Sequence, residues 1–157
     1  MNVKTMRVTH KYIAAVTNFA DEHKNQKFLN NSHSHANLLA ELMIGRAGEY
    51  DDVFIYSKSL PLSCFGDALA KSKSKRLQAI LSDKGGEENI KKLHKDVQKK
   101  IEYRFLKEID GAHFWIAGDS FRLEIGNGNA MAVANFNDSE SVEILRTRFE
   151  RLWSRAA

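Results

Sequence analysis

The chain has 157 residues, of which 43% are hydrophobic and 28% charged, so it holds enough apolar material for one domain with a real core. No apolar run approaches the roughly 20 residues that cross a bilayer, and the start of the sequence lacks the apolar segment of a secretory signal. Cys64 is the only cysteine, which excludes an intramolecular disulfide, and together these features predict a cytoplasmic protein with no membrane partner.

In chain order, residues 9–22 place Tyr12, Ile13, Val16 and Phe19 at helical spacing and predict an amphipathic helix. A polar loop follows over 24–34, anchored by Phe28 and Leu29. Ser32 or Ser34 can cap a second helix over 35–46, with Leu38, Leu39, Leu42 and Met43 inward. Residues 53–56, Val-Phe-Ile-Tyr, have the length and β-branched or aromatic content of a buried strand. Pro61 ends that segment, and a short helix is expected over 65–71. Residues 77–81 are a second strand, closed by the loop 82–86. A long helix over 89–100 carries Ile90, Leu93 and Val97 on one stripe, and residues 101–106 alternate as a strand.

Residues 111–138 hold three short apolar runs separated by Gly118-Asp119 and by the Gly/Asn-rich residues 126–129. That is turn chemistry, and it predicts an antiparallel meander. Asn137 or Asp138 caps a final helix whose stripe is Val142, Leu145, Phe149, Leu152 and Trp153. Alternating helices and strands in the first half require parallel pairing, and the meander adds antiparallel neighbours. The expected fold class is α/β, a mixed sheet flanked by helices, in a single domain over 1–157 with an N-terminal helix and loop (1–34) and a core (35–157).

The net charge of +4 is uneven: residues 71–107 carry twelve Lys and Arg against five Asp and Glu. Lys71, Lys73, Lys75, Arg76, Lys91, Lys92 and Lys95 are therefore candidates for contact with DNA or RNA, the alternative being a solvated helix face. The meander places His113, Asp119, Arg122 and Glu124 inside an apolar region. Arg122 and Glu124 lie two apart on one strand and point to one face, lining a pocket or forming an ion pair. Lys58 follows the strand 53–56, where open sheets bind ligands. Asp119 also suits a turn, and Asn135 and Asn137 suit a strand end and a helix cap. His33 and His35, beside His10 or His23, lack the ligand spacing of a metal site, so neither metal nor cofactor is expected. Cys64 reads as a buried small residue.

This organisation resembles one half of the phospholipase D-like superfamily. Residues 101–106 look like the strand before its motif, His113 stands where the motif histidine would be, and Asp119 looks like the acidic residue in the following turn. Residues 130–138 and the helix ending Phe149-Glu-Arg-Leu-Trp153 look like the closing strand and helix. The chain departs from the pattern too. Trp115 stands at the motif lysine, Asp119 comes one residue early, and Ser120-Phe-Arg122-Leu-Glu124 replaces Gly-Ser-x-Asn. The resemblance implies a histidine that attacks phosphorus, a second histidine from a partner half, and homodimerisation. The missing lysine implies a diverged, non-catalytic domain that binds a phosphate-bearing ligand, nucleic acid first, or serves as a subunit of a larger assembly. Arg122, Lys58 and Asn135 would then hold the phosphate, with Asp119 and Glu124 in support. Two alternatives stand beside this: a metal-independent nuclease with His113 as nucleophile, and a structural interaction protein. Small size without a targeting signal suits a bacterial or phage-borne defence protein.

Overall fold

The computed structural model describes residues 9–31, 33–82, 86–109, 112–125 and 131–157. Its elements run α1 (His10–Asp21), β1 (Phe28–Asn30), α2 (His33–Met43), β2 (Asp52–Tyr56), α3 (Leu62–Lys71), β3 (Arg76–Ser82), α4 (Gly86–Lys92), α5 (Lys95–Lys100), β4 (Ile101–Leu106), β5 (Phe114–Ala117), β6 (Ser120–Glu124), β7 (Ala132–Asn135) and α6 (Ser139–Arg155). The seven strands form one mixed sheet in the order β1-β7-β6-β5-β2-β3-β4. The pairs β2–β3 and β3–β4 are parallel and every other pair is antiparallel.

Side chains alternate across the sheet and so divide the core in two. Val53, Ile55, Leu77, Ala79, Leu81, Trp115 and Ala134 face α1, α2 and α3. Phe54, Tyr56, Ile80, Phe114, Ile116 and Phe121 face α6, where Val142, Leu145 and Phe149 meet them. Phe149 stacks on Phe54 with centroids 4.6 Å apart, and Trp153 continues the stack at 5.8 Å. The stripe read along the last helix is the face that packs.

Several elements differ from expectation: α2 begins at His33, which places Ser34 inside the helix rather than at its cap, and α3 begins at Leu62 directly after Pro61. Residues 28–30 form an edge strand rather than loop, with Leu29 opposite Val133 of β7. Three residues are too short to show a period, and the partner lies about a hundred positions away. The helix expected over 89–100 is two helices, broken at Leu93 and His94. The Gln98 side chain donates to the carbonyls of Lys91 and Leu93 (3.0 and 2.6 Å) and so satisfies acceptors that the break frees. On α1 the buried residues are Val16 and Ala20, while Ile13 is exposed. Ser32 and the turn residues 126–129 lie outside the described residues, as do residues 1–8 and 83–85.

The Gly118-Asp119 turn has a firm cause. Gly118 sits at φ +58°, and a Cβ there would lie 3.1 Å from the Asp51 carboxylate, so glycine alone fits both demands. The start of α6 is equally specified. Asp138 caps it through Ser141, accepting from the backbone N–H and the hydroxyl (3.1 and 2.9 Å), and also accepts from Asn135 Nδ2 (2.9 Å). Burial opposes ionisation of Asp138, but these hydrogen bonds outweigh it and hold its carboxyl below the usual range. A depressed folded-state value adds stability above the unfolded pKa that is lost as pH falls through the folded one. Asp138→Ala is expected to cost about 1–2 kcal/mol at neutral pH, and the deficit should shrink as pH drops below about 4. Urea unfolding across pH checks this; a deficit that stays constant into acid would contradict it.

Candidate functional site

The sheet has two ends, and the topology sorts the candidate residues between them. The C-terminal ends of β2, β3 and β4 lie at one edge. There β5 begins after His113, β6 ends at Glu124, and β1 ends at Asn30. Open α/β sheets bind ligands at this edge. A pocket of about 360 Å³ opens there, lined by Tyr56, Ser57, Lys58, Ser59, Ser63, Cys64, His113, Trp115, Arg122 and Glu124, among others. Four residues singled out from sequence, His113, Arg122, Glu124 and Lys58, therefore share one cavity.

Arg122 is the core of the site. It is 4% exposed, an unusual state for a guanidinium. β6 carries it on the α1–α3 face, opposite Trp115 in the strand register, and its guanidinium lies 5.5 Å from the Trp115 ring centre. Its Nε donates to Asn30 Oδ1 at 2.8 Å, and its Nη1 to Glu124 Oε1 at 3.4 Å. Burial pulls its pKa below the ordinary value, and the Glu124 carboxylate opposes that pull. An arginine nevertheless keeps its proton in a protein, so a buried cation stands beside the cavity.

Glu124 serves two partners. Its other carboxylate oxygen lies 3.4 Å from His113 Nδ1, which leaves Nε2 as the free ring nitrogen of His113 in this arrangement. The paired alternatives for Arg122 and Glu124 are thus both realised: they form an ion pair, and that pair lines a pocket. Lys58 stands on the exposed rim, and its backbone is fixed. Its carbonyl accepts from the Ser82 N–H and hydroxyl (3.1 and 3.0 Å), and Ser57 N–H donates to Ile80 (3.1 Å). Cys64 is no nucleophile at neutral pH, because burial pushes its thiol up to about 11. Burial likewise lifts the Tyr12 phenol to about 12.

Trp115, which the resemblance sets at the motif lysine, is a core residue. The residue is buried on the α1–α3 face, donates Nε1–H to Met43 Sδ at 3.4 Å, and meets Phe65 edge-on at 5.3 Å.

The remaining candidates lie elsewhere. Asp119 sits in the exposed turn at the opposite sheet edge, its carbonyl accepting from Asp138 N–H at 2.8 Å. Asn135 is wholly buried near that edge. Its Oδ1 accepts from Gln26 N–H, and its Nδ2 donates to Asn25 and Asp138 (2.8 and 2.9 Å), so it ties the α1–β1 loop to the cap of α6. Lys71, Lys73, Lys75 and Arg76 gather at the far edge too, where β3 begins. Lys71 pairs with Glu41, Lys75 with Glu49, and Arg76 with Asp52. Lys91, Lys92 and Lys95 are exposed on α4 and α5, with Lys91 4.0 Å from Glu87. The basic run is therefore not a wall of the His113 pocket. Among the described residues no three His, Cys, Asp or Glu side chains converge as metal ligands. His35 is buried, stacks on Tyr12 at 4.2 Å, and accepts from Asn31 N–H.

Two contributors escaped the sequence. Asn30 holds Arg122 from β1, across 92 positions, and no local signal marks it. Ser57 and Ser59 flank Lys58 directly after a buried strand, a polar cluster that the strand-end rule could have found.

No protein-family model matches the sequence, and no curated protein matches it. Solved structures do. The chain is similar to TrmBL2, described as an archaeal chromatin protein that shows a novel mode of DNA binding, at 14% identity and a TM-score of 0.65 over 91% of this chain. It spans 59% of that protein's length. It is also similar to Nuc, a phospholipase D family member from Salmonella typhimurium, at 13% identity and a TM-score of 0.60. That match covers 85% of this chain and 97% of the other. At such identities the likeness shows the fold. The chain has the phospholipase D-like α/β architecture that the element order implied.

Proposed function

We propose that this chain binds a nucleic-acid strand by seating a backbone phosphate in the His113–Arg122 pocket, as a diverged phospholipase D-like domain that does not cleave it. The observation that carries the reading is the buried Arg122 guanidinium at the cavity wall. Two cations, the buried Arg122 and the exposed Lys58, line the cavity with one carboxylate, Glu124, which is itself shared with His113. An anion entering the cavity offsets that excess in a partly desolvated place, where charge-assisted hydrogen bonds are strongest. A guanidinium grips phosphate oxygens in a planar fork, and Lys58 on the rim adds a point charge. DNA binding by TrmBL2, which shares the fold, supports nucleic acid as the ligand class.

A second reading is favoured by the His113–Glu124 contact. A carboxylate beside Nδ1, here at 3.4 Å, favours the tautomer whose Nε2 can act as nucleophile. Nε2 would attack phosphorus while the P–O bond to the leaving strand breaks. His113 of a second copy would protonate the leaving oxygen, and water would then hydrolyse the phosphohistidine.

An electrophoretic shift and cleavage assay with labelled single-stranded DNA, duplex DNA and RNA, with and without chelator, separates the readings. Binding without cleavage is the expected result, weakened about tenfold in His113→Ala through loss of one hydrogen bond to phosphate. Cleavage that survives chelator and vanishes in His113→Ala would establish the second reading and overturn the first. Absence of any binding would remove both.

A further inference from the structure

On the opposite face of the sheet from Arg122, α6 carries three arginines along one side. Arg148, Arg151 and Arg155 are spaced three and four apart, so they rise as a ridge about 10 Å long. All three are exposed, and none has an acidic partner within ion-pair distance among the described residues. Arg146, by contrast, is occupied with Asp52 and Glu143. The three arginines line a groove of about 600 Å³ whose lining includes Tyr56, Leu106 and Leu152, with Glu108 its one acidic residue among the described residues. That volume falls in the range of sites that hold small ligands or a few linked units.

The position of the groove gives it meaning. α6 begins at the far edge, where Arg146 pairs with Asp52. It ends at the same edge as the His113 pocket, where the Ala157 backbone pairs with Phe105 of β4 (2.7 and 3.0 Å). Tyr56, the last residue of β2, lines both cavities. The groove and the pocket are thus two faces of one sheet end, sharing a single residue as wall.

From this we infer that Arg148, Arg151 and Arg155 form a second phosphate-binding track, which takes the continuation of a single nucleic-acid strand whose neighbouring phosphate sits in the His113–Arg122 pocket. The inference rests on the phosphate reading of that pocket. Unpaired arginines beside apolar lining residues suit a flexible strand, which can offer phosphates to the ridge and base faces to Leu106, Leu152 and the exposed Ile144. A rigid duplex has its bases stacked inside and would offer only one rail.

The test uses fluorescence anisotropy with oligothymidylates of about four and about fifteen nucleotides, spanning the site sizes usual for single strands. Salt is varied, and the wild type is compared with the R148Q/R151Q/R155Q variant. All three side chains are exposed, so circular dichroism should be unchanged. The variant should bind the longer strand about a hundredfold more weakly near 0.1 M salt, with its log–log salt slope reduced by about 2. Binding of the four-mer should be unchanged. Equal affinity and slope for the longer strand would overturn the track. If polyglutamate of equal length displaces the longer strand as well as DNA does, the groove is an acidic-peptide site and the assignment falls. If the longer strand needs the three arginines while the four-mer does not bind and Arg122→Lys changes nothing, the track stands alone and the pocket reading fails.

Discussion

Trp115→Lys, which places a lysine two residues after His113, is expected to unfold the domain. Trp115 is only 4% exposed, and it fills the space between Met43, Phe65 and Arg122. Removing a buried tryptophan costs about 3–5 kcal/mol through lost transfer energy and the cavity left behind. A lysine there adds an ammonium beside the Arg122 guanidinium, so desolvation and like-charge repulsion act together. The sum consumes most of the roughly 5–15 kcal/mol that stabilises a typical domain. Urea titration followed by circular dichroism reads it directly. A Trp115→Lys protein with the wild-type midpoint would show that the position is not core.

That expectation follows from the way Trp115 and Arg122 pack together at the cavity wall. Arg122 approaches the same cavity from the neighbouring strand and uses the Trp115 ring as a surface to lie against. The Trp115 ring and the buried guanidinium are two parts of one arrangement, held from outside by Asn30.

Much of this was legible in the residues. The meander followed from its turn pairs, and the shared face of Arg122 and Glu124 followed from a spacing of two. The mixed sheet followed from the order of elements. What the sequence could not give was which sheet edge each candidate occupies. Asp119 is six residues from His113, but β5 runs between them and carries Asp119 to the far side of the molecule. Lys71 to Arg76 precede a strand that β2 separates from β5, and a strand begins at the opposite edge from where it ends. Charge counting along the chain merged two places that the fold separates. The same blindness hid Arg148, Arg151 and Arg155, because arginines on the outer side of an amphipathic helix look like an ordinary solvated face until a groove is seen beside them.

Arg122 itself offers the sharpest separation of folding from binding. Arg122→Ala is expected to lower the unfolding free energy by about 3–5 kcal/mol. It opens a void under the Trp115 ring and leaves Asn30 Oδ1, in a wholly buried side chain, without its donor. Arg122→Met refills most of that volume and removes the cost of burying a charge, so only the orphaned Asn30 remains, at about 1–3 kcal/mol. The stability order is therefore wild type, Met, Ala. Phosphate binding should follow a different order, because neither replacement carries a guanidinium. Both should lose affinity for a short oligonucleotide by about a hundredfold, the worth of a desolvated charge-assisted pair. Lys58 and His113 cannot compensate, since Lys58 is exposed on the rim and a histidine offers one hydrogen bond where a guanidinium offers a fork. Titrating the folded Met variant with a four-nucleotide strand decides the matter. Wild-type affinity in that protein would reduce Arg122 to a structural cation and would leave the pocket without its anchor.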